Sequence, residues 1–467
     1  MGRWTGAGED GRVNGEGRPR VVVVGGGLAG MAAAIAAADG GASVTLLEAK
    51  KWLGGATASF ERDGLLIDTG QHVFLRCCTA YRGFLERLGV SHKTELQRRM
   101  DIPVLSPHRG GARLRRGGLP APLHLGRALA RYPFLSPGQK LSAARASVAL
   151  RKVDPSDRAA DRQSFGSWLR AHGQSAASVR YLWDLFALPT LNLSADEASL
   201  ALAAKVFRTG LLERSDAADI GVPLVSLSEL HGTAATGALA TAGADLRLGA
   251  RVREVLADER GANGVVLDDD VIAADSVIVA IPNERASAVL PARALDAPDA
   301  PDRLGSSPIV NVHVVYDRPV TNLRFAAAVD SPVQWVFDRT GPSGLSEGQY
   351  LAISLSGADD YVDRPVEWFR HTFVPALQDL FPVARDARVT QFLVTRERAA
   401  TFRQAPGTAA FRPSTETRIP RLLLAGAWTD TNWPATMESA VRSGVAAARK
   451  ALLALGQTER LPAEVAA

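Results

Sequence analysis

Four consecutive valines, Val21–Val24, run into Gly25-Gly26-Gly27. A short unbroken apolar run closed by glycine predicts a strand buried on both faces. An Ala-rich stretch from about Leu28 to Asp39 then reads as a helix, and Val44–Leu47 repeats the apolar run. Strand, glycine turn, helix and strand open a doubly wound parallel sheet. Val21 to Ala38 carries no charge over eighteen residues and so imitates a signal peptide or short membrane helix. The three glycines in its middle would each weaken such a helix by about 1 kcal/mol, which favours the strand and turn.

The same pattern returns twice. Leu246-Arg247-Leu248 and Val252–Val255 precede a predicted hairpin, and Val277–Ala280 reads as a buried strand ended by Pro282. Near the C-terminus Leu422–Ala425 predicts another strand, followed by a turn and a helix over Met437–Leu455. Strands of one sheet scattered this widely imply an α/β fold. A discontinuous Rossmann-like domain is expected from residues 19–97, 215–283 and 390–456. An inserted α+β substrate-binding domain is expected from 98–214 and 284–389. Residues 1–18 are Gly-rich and aperiodic and read as a disordered lead-in.

Composition narrows the class. At 467 residues, 46% hydrophobic and 22% charged, the chain is neither disordered, collagen-like nor a polytopic membrane protein. Its two cysteines, Cys77 and Cys78, are adjacent and can build neither a disulfide framework nor a zinc site. A reducing, cytoplasmic setting without a metal is expected. The segment 98–152 holds twelve basic residues and one acid, a local net charge of +11 within a chain of net +5. Leu119, Leu123, Leu125, Leu129 and Tyr132 are interleaved with those charges. A solvated basic face and a docking surface for an anionic membrane both fit this mixture. No nucleic-acid module accompanies the charge, so nucleic acid is not expected as a partner.

Gly25-Gly26-Gly27-Leu28-Ala29-Gly30 satisfies G-x-G-x-x-G between a strand and a helix. Gly25 permits the turn, Gly27 lets backbone approach a pyrophosphate, and Gly30 lets the helix pack closely. Glu48 ends the second strand, where an acid accepts ribose hydroxyls. Gly54 and Gly55 follow shortly, a turn that would let backbone approach a second part of a long cofactor. Next comes Asp68-Thr69-Gly70-Gln71-His72, a polar patch in which His72 has a pKa range suited to proton transfer. These features define a dinucleotide site and leave NAD and FAD open.

Together with Gly426-Ala427-Trp428 and Met437-Glu438 … Ser443-Gly444, these motifs resemble the flavin-dependent amine oxidase and phytoene desaturase superfamily. Within it, Asp68–His72 and Pro434–Gly444 resemble the squalene-associated FAD-dependent desaturases, understood as hydroxysqualene dehydroxylases. The resemblance implies noncovalent FAD, with Gly25, Gly27 and Gly30 at its pyrophosphate and Glu48 at the adenosine ribose. Gly54, Gly55 and Gly426 would pass beside the pyrophosphate and ribityl chain, backbone at Val252 would meet adenine, and backbone at Met437 would face the flavin. Two positions depart from the pattern. Relatives commonly carry an acid where Ala427 stands, for which Asp430 is a substitute to consider, and Arg where Ala56 stands.

The implied activity is reductive dehydroxylation of hydroxysqualene to squalene, in squalene and hopanoid biosynthesis. A carotenoid-type desaturase or amine oxidase is the alternative, and a non-catalytic prenyl-binding relative is third. His72 or Asp68 would be the acid or acid-orienting group, and Gln71, Trp428 and Trp433 would line the substrate pocket. The apolar run Trp183–Leu193, interrupted by Pro189, suits domain core or a hydrocarbon tunnel equally. Expected partners are a long isoprenoid, an external reductase or reduced nicotinamide, and the inner face of the cytoplasmic membrane.

Overall fold

The computed structural model describes residues 17–462. Of the expected lead-in, only Gly17 and Arg18 fall within that range.

The valine run becomes the strand Arg20–Val24, central in a five-stranded parallel sheet. Ser43–Glu48 and Asp245–Leu248 lie on one side of it, and Ser276–Val279 and Leu422–Leu424 on the other. Val21 to Val24 are all buried, as a strand covered on both faces requires. The strand order reverses direction at the carboxyl end of Arg20–Val24, so the Gly25–Gly27 turn stands at the crevice where such sheets bind ligands. Helix Leu28–Asp39 follows immediately and packs against the C-terminal helix Met437–Ala454. Their backbones touch: a Cβ built on Gly444 would lie 2.1 Å from the Ala29 carbonyl oxygen.

A second, seven-stranded sheet runs in the order Val389–Thr401, Ser307–Tyr316, Gln349–Ser356, Trp335–Asp338, Phe325–Ala328, Asp101–Leu105 and Ala112–Arg115. All its pairs are antiparallel except Phe325–Ala328 with Asp101–Leu105. Helix Val366–Leu380 covers one face through Phe369, Phe373 and Leu377, all fully buried. Residues 123–212 are mainly helical, around a core that includes Phe165, Trp183 and Phe207.

Three boundaries differ from those expected. Residues 390–401 belong to the second sheet, because Val389–Thr401 pairs along Ser307–Tyr316. Residues 286–304 belong with the first sheet, because Ala286, Leu290, Ala294 and Leu304 bury their side chains against Val22, Val277 and Leu424. The strand expected at Val252 begins at Glu254. The Trp183–Leu193 run forms a helix over Asp184–Leu191 with Pro189 inside it. Trp183 is buried there and donates to Gln174 Oε1 at 2.9 Å, a core position.

Replacing Gly444 with Val forces these helix backbones apart and is expected to lower stability by about 1–3 kcal/mol. Exposed Gly83 has no atom within 4 Å of a built Cβ and lies inside helix Thr79–Arg87. Gly83→Ala should therefore raise stability by up to about 1 kcal/mol. Thermal unfolding of the two variants checks both signs.

Candidate active site

The fingerprint glycines are held by contacts that leave no room for side chains. Gly25 has φ +106°, and a Cβ there would meet the Ala280 carbonyl oxygen at 2.5 Å. A Cβ on Gly30 would lie 1.7 Å from the Gly25 carbonyl oxygen. Gly27 differs, because its Cβ would meet no atom within 4 Å. It is also the N-cap of helix Leu28–Asp39 and offers no side chain to the first-turn amides. The result is an open cradle at a helix N-terminus, which fits a diphosphate.

The other cofactor positions converge on that cradle. Gly54 bridges Gly27, with its amide donating to the Gly26 carbonyl at 2.8 Å, and a Cβ on Gly55 would sit 3.0 Å from the Gly27 Cα. Glu48 is buried beneath, accepting from the Gly26 amide at 2.6 Å and the Lys50 amide at 2.7 Å. A carboxylate oxygen accepts more than one hydrogen bond, so both can still take ribose hydroxyls. Val252 is buried, and its amide and carbonyl bond to no described residue. Gly426 has φ +142° and donates its amide to Ser443 Oγ at 2.8 Å. Thr436 caps helix Met437–Ala454 by accepting from the Ser439 amide, and Met437 opens that helix.

The polar patch divides. Asp68 accepts from Ser59 Oγ at 2.6 Å, the Leu227 amide at 3.0 Å and Arg339 Nη2 at 2.6 Å. Both members of the Asp68–Arg339 ion pair are buried. Both carboxylate oxygens are engaged, and these bonds tie the hairpin formed by Ser59–Arg62 and Leu65–Asp68 to Leu227 and Arg339. His72 is half-buried, with Nδ1 3.2 Å from the Gly70 carbonyl oxygen. Donation from Nδ1 leaves Nε2 as the free ring atom. Burial holds the His72 pKa below its usual value; the Gly70 carbonyl and Asp68 oppose this, and Arg339 reinforces it. Asn311, on the second sheet, donates to the Thr69 carbonyl at 3.4 Å and brings that sheet against the same loop. Among the described residues, Gln71 Nε2, Asn311 Oδ1 and Trp433 Nε1 are buried and have no hydrogen-bond partner.

Trp428 lies elsewhere than expected. It is buried in the first domain's core and donates to the Ile281 carbonyl at 2.9 Å. A Cβ on Gly426 would strike its ring at 2.5 Å, so this tryptophan backs the cofactor turn and does not line a pocket. Trp433 lies under Lys205 and Arg442, 5.0 and 4.6 Å from its ring centre. Three further residues were given no role by the sequence, and two of them, Arg339 and His231, lie outside every motif. Arg339 is one, and His231 is another, linking Tyr81 Oη at 2.7 Å to the Thr57 carbonyl at 3.4 Å. Burial pushes His231 down to about 3 and keeps it neutral. Glu438 is the third, accepting from the Ala80 and Tyr81 amides and from Arg442 Nε.

A doubly wound sheet with a glycine cradle that fits a diphosphate, and a second sheet brought against the 69–72 loop, define a dinucleotide-binding fold of two domains. The chain belongs to the flavin containing amine oxidoreductase family, which it matches over residues 28–452. Its cofactor is FAD. It is 29% identical to a hydroxysqualene dehydroxylase of Rhodopseudomonas palustris, across 93% of this chain and 98% of that protein. A probable zeta-carotene desaturase of Synechococcus elongatus is 25% identical over the same shares of the two chains. The solved cyclohexylamine oxidase from Brevibacterium oxydans has a TM-score of 0.71 at 19% identity, covering 94% of this chain and 100% of that one. That likeness establishes the shared fold. Among the described residues no helix is long and apolar enough to cross a membrane, and no cluster of three His, Cys, Asp or Glu could hold a metal.

Gly27→Val adds atoms only to open space at φ −75°. The apoprotein should keep its unfolding midpoint within about 0.5 kcal/mol of stability, while the purified protein loses its flavin absorbance. Asp68→Asn leaves Arg339 buried without its counter-charge and should destabilise by about 3–5 kcal/mol, read in denaturant titration.

Proposed function

We propose that the chain removes the hydroxyl of hydroxysqualene reductively and yields squalene. The observation that carries this reading is similarity to hydroxysqualene dehydroxylases along nearly the whole of both chains. FAD, bound noncovalently, supplies hydride when reduced. The chain binds it through the Gly27 cradle and Glu48, while the N-terminus of helix Met437–Ala454 favours negative charge on what it faces. An allylic C–O bond ionises once its oxygen is protonated, and His72 Nε2 is the proposed proton carrier. The half-buried Val73 and Leu75, next to His72, pack into an apolar core and help exclude water that would recapture a cation. Gln71 and Trp433, each with a buried N–H lacking a partner, line the pocket. Electrons arrive from a separate reductase or reduced nicotinamide.

A second reading, carotenoid-type desaturation, is favoured by the lowered pKa of His72. At neutral pH the ring is unprotonated and better suited to take a proton than to give one.

Mixing anaerobically reduced protein with hydroxysqualene in detergent should return oxidised flavin and squalene in equal amounts. Failure to reoxidise with substrate bound would overturn the dehydroxylase and leave the desaturase, to be tested with phytoene-like polyenes on oxidised protein. The pH profile separates them again. With a lowered pKa, the imidazolium fraction falls about tenfold per pH unit above it, so dehydroxylation should slow as pH rises through neutrality. Proton abstraction by neutral His72 would instead be level there and fall on acidification. His72→Gln should lower the rate by about 10²–10⁴-fold and flatten the profile.

A further inference from the structure

Within the basic segment 98–152, Arg98 and Arg99 are exposed and pair with no described carboxylate, and the basic residues after them fall into two parts. Arg109, Arg113, Arg115 and Arg116, on and around the strand Ala112–Arg115, each face a carboxylate: Asp330, Asp101 or Asp219. Arg127, Arg131, Arg145, Arg151 and Lys152 are exposed, and none has a carboxylate within 4.0 Å among the described residues. Large exposed apolar side chains occur in this second part. Leu119 is 58% exposed, Leu123 64%, Leu141 53% and Val148 52%.

The helices set these residues side by side. The turn Leu123–Leu125 continues into helix Gly126–Arg131, so Leu123, Arg127 and Arg131 follow at intervals of four and share a side. On helix Pro137–Leu150, exposed Leu141, Arg145 and Val148 share one face, opposite buried Ala143, Ala146 and Leu150. Lys140 Nζ donates to the Ala130 carbonyl at 2.7 Å and ties the two helices together. Beneath them, Leu125 and Leu129 pack into the apolar core that also receives Val73, next to His72.

We propose that this two-helix face docks on an anionic lipid bilayer. The unpaired guanidinium groups meet the headgroup phosphates, and Leu123, Leu141 and Val148 enter the acyl boundary. Charge complementarity selects this occupant: a nucleic acid offers phosphates but nothing for the exposed leucines. A second copy would set like charges against each other. The inference does not depend on which lipid-soluble substrate the enzyme uses.

The test is co-sedimentation of FAD-loaded protein with substrate-free vesicles. Binding is expected to phosphatidylcholine containing about a quarter phosphatidylglycerol, not to phosphatidylcholine alone. It should weaken between about 0.1 M and 0.5 M salt. Arg127→Glu/Arg131→Glu/Arg145→Glu should lower the partition coefficient about a hundredfold. Leu123→Asp/Leu141→Asp should lower it about tenfold. Arg318→Glu/Arg388→Glu/Arg398→Glu, reversing as many charges elsewhere, should change it little. Unchanged flavin absorbance shows that each variant is folded. Equal binding to both vesicle types, equal losses from the two triple variants, or tighter binding to duplex DNA than to anionic vesicles would each overturn the proposal.

Discussion

The active site depends on a contact between two backbones. Gly444, in the last helix, lies directly on Ala29, in the first. No side chain separates the two helices there, and each helix carries half of the cofactor site at its N-terminal end. The first presents the Gly27 cradle. The second places Met437 at its start and Ser443, one residue before the contact, where its hydroxyl holds the Gly426 amide. The two halves come from opposite ends of the chain. Between the two helices the chain passes through both sheets, adding Ser43–Glu48, Asp245–Leu248 and Ser276–Val279 to the first. A domain assembled this way gains its cofactor site only when its last helix has docked.

The parts of this arrangement that depend on main-chain shape were legible in the sequence. Four valines, a glycine turn and an Ala-rich stretch leave few alternatives, and helix Leu28–Asp39 has the limits that its pattern predicts. The glycines at 25, 27 and 30 stand out through the spacing of the fingerprint and those at 54 and 55 as a Gly-Gly turn, while Gly426 is marked only by the family resemblance. What was not legible depends on long-range pairing. Nothing around Arg339 announces that its partner is Asp68, 271 positions away. Trp428 and Trp433 stand five residues apart with similar surroundings in sequence. One fills the core behind Gly426, and the other sits between two cations with its indole N–H unpaired. The boundary at 390 failed for a related reason. Val389–Thr401 looks like any other strand, and only its pairing with Ser307–Tyr316 assigns it to the second sheet.

Buried carboxylates recur where elements distant in sequence meet. Asp68 joins the first hairpin to Arg339 at the end of strand Trp335–Asp338. Asp219 takes Arg76 and Arg116 together. Glu438 caps helix Thr79–Arg87 while pairing with Arg442. Such pairs contribute little net stability, because desolvation offsets much of their attraction. Their effect is positional, since a shift of the partner strands a charge in a medium that cannot solvate it. The loop carrying His72 therefore follows an anchored hairpin, and the charges that anchor it also act on the ring. Burial depresses the His72 pKa, Asp68 opposes that and Arg339 reinforces it, so the anchoring pair and the ring are electrostatically coupled.

The replacement of an acid by Ala427 is understandable from the same balance of charges. Arg412 is buried, stacked 5.0 Å from the Phe402 ring centre, and donates from Nη2 to the carbonyls of Ala427 and Thr429 and to Thr431 Oγ1. Burial pushes its pKa down to about 10, still high enough to keep it charged at neutral pH. The turn that carries Gly426 is thus closed by a cation on main-chain oxygens, and its shape needs no side chain at position 427. Asp430 is exposed, and its carboxylate bonds to no described residue. The positioning of Gly426 therefore rests on Arg412 and Ser443, and the side chain at 427 takes no part in it.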